Sequence, residues 1–440
     1  MELKEWIRSR DYASLKSKLK SENVVGVIAL LSKLKPYDQA IAFRAMSSEQ
    51  AAQVFPYLES EERKRIIKNL TQKEIIGILD NLQADDSADF LGGLPSAYVD
   101  TLLGNLDAET KDDITRLLKY EHDTVGSIMT VEYVALDQNS TVSAALDKLR
   151  AEAQDSETIY TCYVLEQGRL IGIVTVKDLI LASGDSRIGD IMNRQFVSLK
   201  DTDDKAKAAE LFYKYGFFAL PVVDKHRIMQ GIVTIDDGIY VMQEEVTEDM
   251  QKMAGIRSDD TGYFNKSIWF HAKQRVAWLL FLMISASITG AIISHYEAAF
   301  QVLPLLVAFI PMLMDTGGNC GAQSSTLIIR GITTKEIQFK DILRIIWTEF
   351  RVSLLVSAIL AVTNGFHVYF RYQNVKLAAA VSLSLIATVV VSKFIGAILP
   401  LLASKVKLDP AVMAAPLITT IVDSCSILIY FKIASAMFGL

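Results

Sequence analysis

Cysteine is scarce in this chain of 440 residues, and acidic residues are scarce in its second half. Cys162, Cys320 and Cys425 lie far apart, and an odd, scattered set provides neither a disulfide framework nor a zinc-binding pattern. Residues 261–440 contain 7 acidic and 14 basic residues, whereas residues 1–260 contain 44 acidic and 31 basic residues. The overall charge of −6 therefore conceals a net −13 and a net +7. This asymmetry excludes a uniform globular protein, and the acidic first half argues against a nucleic-acid partner.

An apolar leader is also missing, because the N-terminal sequence MELKEWIRSRDYASLKSKLK has no stretch typical of a signal peptide. We therefore expect the first half to stay in the cytoplasm. Five apolar stretches follow residue 270, each long enough to cross about 30 Å of hydrocarbon as a helix. Basic residues gather before the first stretch and in alternate loops, which predicts a cytoplasmic N-terminus and an external C-terminus. The stretches cover residues 276–294, 302–329, 345–362, 377–403 and 411–438.

Polar residues inside these stretches are informative, because a charge within a bilayer is costly and faces a cavity or a partner. The second stretch contains the glycine-rich DTGGNCGAQSS over residues 315–325, and the fifth carries Asp409 at its start and Asp423 deep within. The pattern indicates a wet path through the membrane, although the same groups could simply join helices. Lys393 and Lys432, also within the stretches, could each neutralise an acid, and Lys432 could instead extend towards the surface.

A sequence repeat between residues 123 and 245 mixes short apolar strands with amphipathic helices. Both copies contain G-I-V-T, and the repeat resembles the tandem cystathionine-β-synthase (CBS) domain pair, a regulatory module that often binds adenine nucleotides. The resemblance makes Asp178 a candidate ligand of a ribose hydroxyl, and Tyr160 and Phe217 candidates to flank a base. A CBS pair that binds no nucleotide is the alternative. The corresponding residues are Gly126 and Gly189, Met129 and Met192, Gly172 and Gly231, and Thr175 and Thr234.

Two further segments are helical in pattern and locally rich in acids. Residues 1–120 predict short amphipathic helices with Ser, Thr or Asp near their starts as N-caps, arranged as a helical superhelix. Asp85, Asp86 and Asp89 share one turn there, as a solvated cluster or an ion site. Residues 236–256 predict a connecting helix with concentrated negative charge. A divalent cation could relieve this repulsion, or the acids could form a solvated face.

Taken together, the stretch MDTGGNCGAQSSTLIIRG, the stretch LDPAVMAAPLITTIVD, the EEVTEDM linker and the CBS pair resemble the MgtE family of magnesium channels and transporters. The resemblance implies a multidomain fold, with an α-helical superhelix, α/β tandem CBS domains, a connecting plug helix and an all-α transmembrane domain of five helices. It also implies a homodimer in the cell membrane. The expected domains are 1–122 (superhelix), 123–185 and 186–236 (CBS 1 and 2), 237–265 (plug) and 266–440 (membrane).

The same resemblance implies that Mg²⁺ is both the transported ion and a regulator that closes the path from the cytosol, with ATP as a candidate ligand of the CBS domains. It places the path between the second and fifth membrane helices on the dimer axis. The path residues implied are Asp423, Asn319, Gly318, Thr419, Thr420, Asp409, Glu349 and Asp315. The regulatory metal residues implied are Glu245, Glu248, Asp249, Asp237, Asp86 and Asp89.

The chain departs from the family pattern at Gly216 and Tyr240, where other members carry acids, so regulation could be weaker or tuned to a higher Mg²⁺ concentration. Two other classes of function are weighed against transport. Asp315-Thr316-Gly317 is the tripeptide of aspartic proteases, and Asp315 with Asp423 could form an intramembrane dyad. A membrane-tethered ion or nucleotide sensor without transport is the third class, but a sensor would not need Asp423.

Overall fold

The structure is a computed structural model that describes residues 2–154, 156–257, 263, 266–297, 303–413 and 415–439. The chain forms two compact units, and the boundary lies between Glu245 and Val246. The first unit contains an N-terminal helical domain and two α/β repeats, and the second is helical. This confirms the predicted fold class of helical domain, CBS pair, connecting helix and apolar helices.

Ten short helices build the N-terminal domain, as the amphipathic pattern predicted. Several begin where a side-chain oxygen accepts a hydrogen bond from a backbone N–H of the first turn, which satisfies an otherwise unpaired donor. Asp11, Asn23, Ser47, Thr71 and Asp107 act in this way. The helices are α1 Glu2–Ser9, α2 Tyr12–Ser21, α3 Val24–Leu31, α4 Pro36–Ala45, α5 Ser48–Val54, α6 Ser60–Ile67, α7 Gln72–Leu79, α8 Ala84–Gly92, α9 Ser96–Leu103 and α10 Ala108–Leu117.

The two repeats each form a three-stranded sheet with the same connectivity. In each sheet the first strand is parallel to the second, and the second is antiparallel to the third. Gly172 pairs with Val164 in one sheet and Gly231 pairs with Val222 in the other, so the repeated glycines occupy equivalent places. The strands are β1 Tyr133–Asp137, β2 Thr158–Glu166, β3 Arg169–Thr175, β4 Leu199–Lys200, β5 Ala219–Val223 and β6 Met229–Thr234. The helices are α11 Val142–Glu152, α12 Val176–Leu181, α13 Ile188–Ile191, α14 Lys205–Tyr215 and α15 Ile235–Met253.

The repeats interlock through the residues that the sequence repeat identified. A Cβ atom on Gly172 of the first copy would lie 2.6 Å from the sulfur of Met192 in the second copy. A Cβ atom on Gly231 of the second copy would lie 2.3 Å from the carbonyl oxygen of Thr130 and 3.2 Å from the sulfur of Met129. Glycine is therefore needed at both positions, because each repeat packs its opening segment on the last strand of the other.

Gly216, one of the two departures from the family pattern, ends α14 in a left-handed conformation with φ of 65°. Glycine adopts this conformation without steric cost, so Gly216 terminates the helix as a common type of C-cap. Tyr240, the other departure, lies on the connecting helix α15 and is exposed. The helix α15 begins two residues before the expected plug boundary at residue 237, and part of the expected plug, residues 258–262 and 264–265, lies outside the described residues.

The second unit contains five helices that are long and apolar enough to span a membrane within the described part of the chain. They correspond one to one to the predicted stretches, although the first, third and fourth helices extend further at both ends and the second and fifth begin later than predicted. Small residues hold the second and fourth of them together: a Cβ atom on Gly396 would lie 2.1 Å from the carbonyl oxygen of Gly321. The helices are α16 Ile268–His295, α17 Ile310–Thr333, α18 Ile342–Tyr372, α19 Val375–Lys405 and α20 Ala415–Phe438.

Candidate ion path and regulatory sites

The helix α17 has two distinct faces in the single chain. Gly317, Gly321 and Ser324 are buried against neighbouring helices at helical spacing. Asp315, Asn319 and Gln323 follow one another every four residues and are exposed. Four residues correspond to about one turn, so these three polar side chains form a single stripe along the helix. We call this set the polar stripe.

Asp423 on α20 lies beside Gly318 of α17. A Cβ atom on Gly318 would lie 3.0 Å from Cγ2 of Thr419 and 3.8 Å from Oδ1 of Asp423, so the structure brings these three predicted path residues together. Thr419 and Thr420 donate their hydroxyl protons to the carbonyl oxygen of Pro416, at 3.0 and 2.9 Å. Their oxygen lone pairs remain available as acceptors, which suits a cation or its water shell.

Glu349 lies elsewhere, on the buried side of α17. The hydroxyl of Ser324 donates to Oε2 of Glu349 at 2.6 Å, and Nζ of Lys393 donates to the Ser324 hydroxyl at 3.2 Å. Lys393 Nζ and Glu349 Oε2 are 3.8 Å apart. Lys393 is therefore the lysine that neutralises an acid, whereas Lys432 is exposed. Glu349 and Lys393 lie on different helices, so the residue spacing within either helix could not have predicted that they pair.

Asp409 is engaged by a residue of the connecting helix that sequence reasoning missed. Lys252 Nζ lies 2.8 Å from Oδ2 of Asp409 and 2.8 Å from Oε1 of Glu248. Burial lowers the pKa of Lys252, but its hydrogen bonds to the two carboxylates outweigh this effect and raise the pKa. Burial and the nearby charge of Asp409 raise the pKa of Asp249. The i,i+4 spacing of Glu248 and Lys252 could have predicted their pair, but no local pattern indicates Asp409.

Acids of the N-terminal domain and of the repeats gather in the first unit. Burial raises the pKa of Asp86 to about 6, against the opposing charge of Arg63. Burial also raises the pKa of Asp237 to about 7, although Thr234 donates a hydrogen bond to it at 2.8 Å. Glu157, which sequence reasoning missed, has its pKa raised to about 7 by burial and by the charges of Asp236 and Asp237. We call Asp85, Asp86, Glu157, Asp236 and Asp237 the acidic cluster.

The acidic cluster contains unpartnered buried oxygens. Oδ1 of Asp85 and Oε2 of Glu157 are both buried without a hydrogen-bond partner. Burial raises the pKa of Asp85 well above its ordinary value. Asp89, at the edge of the cluster, pairs with Nη2 of Arg63 at 2.9 Å. Among the described residues, no three His, Cys, Asp or Glu side chains come close enough to hold one metal ion directly. A hydrated Mg²⁺, which keeps several of its waters, fits such a spacing better than a bare ion.

Of the candidate nucleotide residues, Tyr160 and Asp178 are exposed, whereas Phe217 is half-buried against the core. Asp178 forms a capping box with Thr175, the N-cap of α12, and one of its carboxylate oxygens accepts hydrogen bonds from the hydroxyl of Thr175 at 2.5 Å and from its backbone N–H at 3.0 Å. Tyr160 is exposed, and its ring centroid lies 5.8 Å from that of Phe218. Phe217 instead pairs with Tyr215 at 5.6 Å. Tyr160 therefore does belong to an aromatic pair, but the second ring is that of Phe218 and not of Phe217, which the sequence had suggested.

Family comparisons cover most of the chain. Residues 310–433 match the model described as a divalent cation transporter, MgtE, and residues 23–123 match the MgtE intracellular N domain. Residues 125–185 and 188–244 each match the CBS domain. The N-terminal helical domain and the membrane helices thus match two domains of the same family, and the two repeats match the CBS domain.

Curated relatives match over nearly the whole length. A magnesium transporter MgtE of Thermus thermophilus is 34% identical over 98% of this chain and 97% of its own length. One of Bacillus subtilis is 32% identical over 93% of each chain. Matches to inosine-5'-monophosphate dehydrogenases are confined to the CBS segment. The long matches are thus to transporters, not enzymes, and the protease alternative fails.

Solved structures support the same relationship for the first half. The cytosolic domain of the Mg²⁺ channel MgtE in complex with ATP is 35% identical, with a TM-score of 0.52, and covers 54% of this chain and 98% of that one. The soluble part of a magnesium transporter is 29% identical, with a TM-score of 0.51, and covers 55% of this chain and 96% of that one.

Proposed function

This chain belongs to the MgtE family of magnesium transporters, and from that premise we propose that it conducts Mg²⁺ into the cytoplasm along α17 and α20. The observation that carries the proposal is the polar stripe of Asp315, Asn319 and Gln323. A bilayer does not tolerate an exposed stripe of this kind on a lipid-facing helix, so it faces water or a second protein surface. We propose that two copies of the chain place their stripes on either side of a shared path.

The chemistry of the path suits Mg²⁺. This ion prefers oxygen ligands in octahedral geometry and loses its waters reluctantly. Asp423, Asn319, Thr419 and Thr420 offer carboxylate, amide and hydroxyl oxygens that can hold the ion through its waters, while Gly318 leaves room for them. Two Asp423 side chains, one from each copy, would balance the charge of one ion. Conduction requires that this binding stay weak enough for release.

Direction follows from the membrane potential and the positions of the basic loops. With the first half in the cytoplasm, as the basic loops favour, the C-terminus lies outside. A potential that is negative inside then drives a divalent ion inwards with about 4.6 kcal/mol per 100 mV, twice the single-charge figure. No other energy source is needed for uptake.

Closure by cytosolic Mg²⁺ completes the proposal. The acidic cluster would hold hydrated Mg²⁺ between the N-terminal domain and the repeats through Asp86 and Asp237, with Asp89 at its edge. Glu248, Asp249 and Asp409 would hold a second hydrated Mg²⁺ through its waters at the end of α15, in competition with Lys252, and Glu245 lies on the same helix. The unpartnered oxygens of Asp85 and Glu157 and the raised pKa values support the first site, because a cation would relieve both. ATP is proposed for the CBS pair, near Tyr160 and Asp178, because a similar cytosolic domain was crystallised with it.

Mg²⁺ uptake into proteoliposomes, measured with an internal Mg²⁺ indicator, tests the path. Asp423→Ala should abolish uptake, because it removes the carboxylate that lies beside Gly318, while the protein remains folded in size-exclusion chromatography. Glu336→Ala is the matched control, because this carboxylate is exposed in the loop after α17 and should be dispensable. Unchanged uptake by Asp423→Ala would exclude the proposed path. Comparison of Mg²⁺, Mn²⁺, Co²⁺ and Ca²⁺ would establish the selectivity.

A further inference from the structure

Glu349, Ser324 and Lys393 form a buried polar triad that joins three membrane helices. Glu349 lies on α18, Ser324 on α17 and Lys393 on α19, and their exposures are 8%, 1% and 5%. Ser324 is the central member, because its hydroxyl donates to Glu349 at 2.6 Å and accepts from Lys393 at 3.2 Å. A hydroxyl has one proton and two lone pairs, so it can make both bonds at once.

The triad neutralises its own charges inside the protein. A buried carboxylate or ammonium is very unfavourable when unpaired, and each becomes tolerable here because the other lies 3.8 Å away with Ser324 between them. Glu349 therefore has a fixed partner on the side of α17 opposite the polar stripe. An acid held in this way is poorly placed to serve a passing ion, although the sequence resemblance implied that role.

The position of the triad relative to the path gives it a consequence for transport. Ser324 lies one turn from Gly321, whose carbonyl oxygen contacts the backbone of Gly396 on α19. The opposite face of α17 carries Asn319, and Gly318 lies against Thr419 and Asp423. A displacement of α17 from α19 would also shift Gly318 relative to Asp423, and the space there is small, because a Cβ atom on Gly318 would lie only 3.0 Å from Thr419 and 3.8 Å from Asp423.

We propose that this triad is a positioning lock, in which Lys393 and Glu349 hold α17 through Ser324 at the distance from α20 that ion passage requires. Lys393 is a positioning residue, and Glu349 acts through it and not as a ligand of the ion. The effect on transport rests on the proposed function, whereas the effect on the position of α17 does not. The two are tested separately.

The transport test uses three variants in proteoliposomes. Lys393→Met and Glu349→Gln each leave one buried charge unpaired, and each should reduce the maximal Mg²⁺ uptake rate at least tenfold. The double variant Glu349→Gln/Lys393→Met removes both charges and should recover uptake to within about threefold of the original chain. Lys432→Met, at an exposed lysine of the same domain, is the matched control. A double variant as inactive as Glu349→Gln alone would overturn the lock and place Glu349 on the ion path.

The position test does not depend on transport. Cys320 on α17 is buried, and in a chain with Cys162 and Cys425 replaced by serine its reaction with a maleimide reports how tightly α17 is packed. Ser324→Ala keeps the charges of Glu349 and Lys393 but removes the hydroxyl that links them to α17. This variant should therefore increase the rate at which Cys320 reacts with the maleimide at least fivefold. The KM for Mg²⁺ uptake should rise as well. An unchanged rate would overturn the lock even if uptake is altered. A changed rate in a chain that shows no Mg²⁺ uptake would support the lock and refute the proposed function.

Discussion

Asp178 and Asp237 hold equivalent positions in the two repeats but lie in very different surroundings. Each follows its threonine by three residues, and Thr175 and Thr234 each donate a hydroxyl hydrogen bond to the aspartate. Asp178 remains exposed, whereas Asp237 is within the acidic cluster and its pKa rises to about 7. In the proposed function the same local motif would serve a nucleotide in one copy and a cation in the other, because Asp237, unlike Asp178, lies near the acids of α8.

The raised pKa of Asp237 predicts a pH-dependent stability. A carboxyl group with a raised pKa binds its proton more tightly in the folded than in the unfolded chain, so stability falls as the pH rises from about 4 to about 7. Asp237→Asn removes this loss and keeps an acceptor for Thr234. In EDTA we expect this variant to melt at a higher temperature than the original chain at pH 8, by about 2–4 °C for each kcal/mol of repulsion relieved, with a difference that shrinks towards pH 5.

Differential scanning fluorimetry of the full chain in detergent measures this difference. Mg²⁺ should stabilise the original chain at pH 8 more than it stabilises Asp237→Asn, since the variant has lost one ligand. Asp185→Asn, at an exposed carboxylate of the first repeat, should melt like the original chain at every pH. A pH-independent difference between Asp237→Asn and the original chain would contradict the role of the raised pKa.

Gly318 is the residue where the smallest change should have a large effect on transport. An added Cβ atom would lie 3.0 Å from Thr419 and 3.8 Å from Asp423, so Gly318→Ala narrows the space beside the carboxylate proposed to hold the ion without adding a polar group. We expect Mg²⁺ uptake to fall at least fivefold with the protein still folded. Gly290→Ala on α16 provides the comparison, because its Cβ would meet nothing within 4 Å. Equal uptake by both variants would show that this contact does not limit the ion.

At the scale of elements, the sequence was sufficient wherever the signal was local. The five apolar stretches match α16 to α20 because hydropathy over about 20 residues is a property of one segment. The interlocked repeats were likewise visible in the repeated glycines. The partners of Glu349 and Asp409 were not predictable, because Lys393 and Lys252 lie far away in the sequence and reach them only through helix packing. Glu157 was missed for the same reason, since its neighbours come from α8 and α15.

The connecting helix α15 is the element that links regulation to the path in the proposed function. Its acids Glu248 and Asp249 lie next to Lys252, which bridges to Asp409 in the segment that precedes the fifth span. Glu248→Ala/Asp249→Ala should let Mg²⁺ uptake continue when internal Mg²⁺ is high, because the helix loses the carboxylates that the ion would bind. Met250→Ala, an exposed and uncharged position on the same helix, should close like the original chain. Uptake measured across a range of preloaded internal Mg²⁺ concentrations decides this, and closure of the double variant at the original concentration would exclude the role of the helix.

At the scale of the whole molecule, the split between an acidic and a basic half separates two tasks. The acids of the first half repel one another in the acidic cluster, and in the proposed function a divalent cation would relieve that repulsion. The second half has few acids, and the structure distributes them among different partners: Glu349 pairs with Lys393, Asp409 with Lys252, and Asp423 faces Gly318. Of these three acids, Glu349 and Asp409 are paired with lysines, whereas Asp423 lies beside Gly318, where the proposed function has an arriving cation find its ligands.

The exposed polar stripe predicts how two copies of the chain meet. If two copies enclose the path, the Gln323 side chains of the two copies lie close together, whereas Leu355, exposed on α18, faces lipid. In a chain with its three cysteines replaced by serine, Gln323→Cys should form a disulfide between copies under mild oxidation in membranes, and a band of twice the mass should appear on non-reducing gels. Leu355→Cys should remain a single band under the same conditions. Crosslinking at Leu355 but not at Gln323 would mean that α17 does not face its counterpart, and the shared path would have to be abandoned.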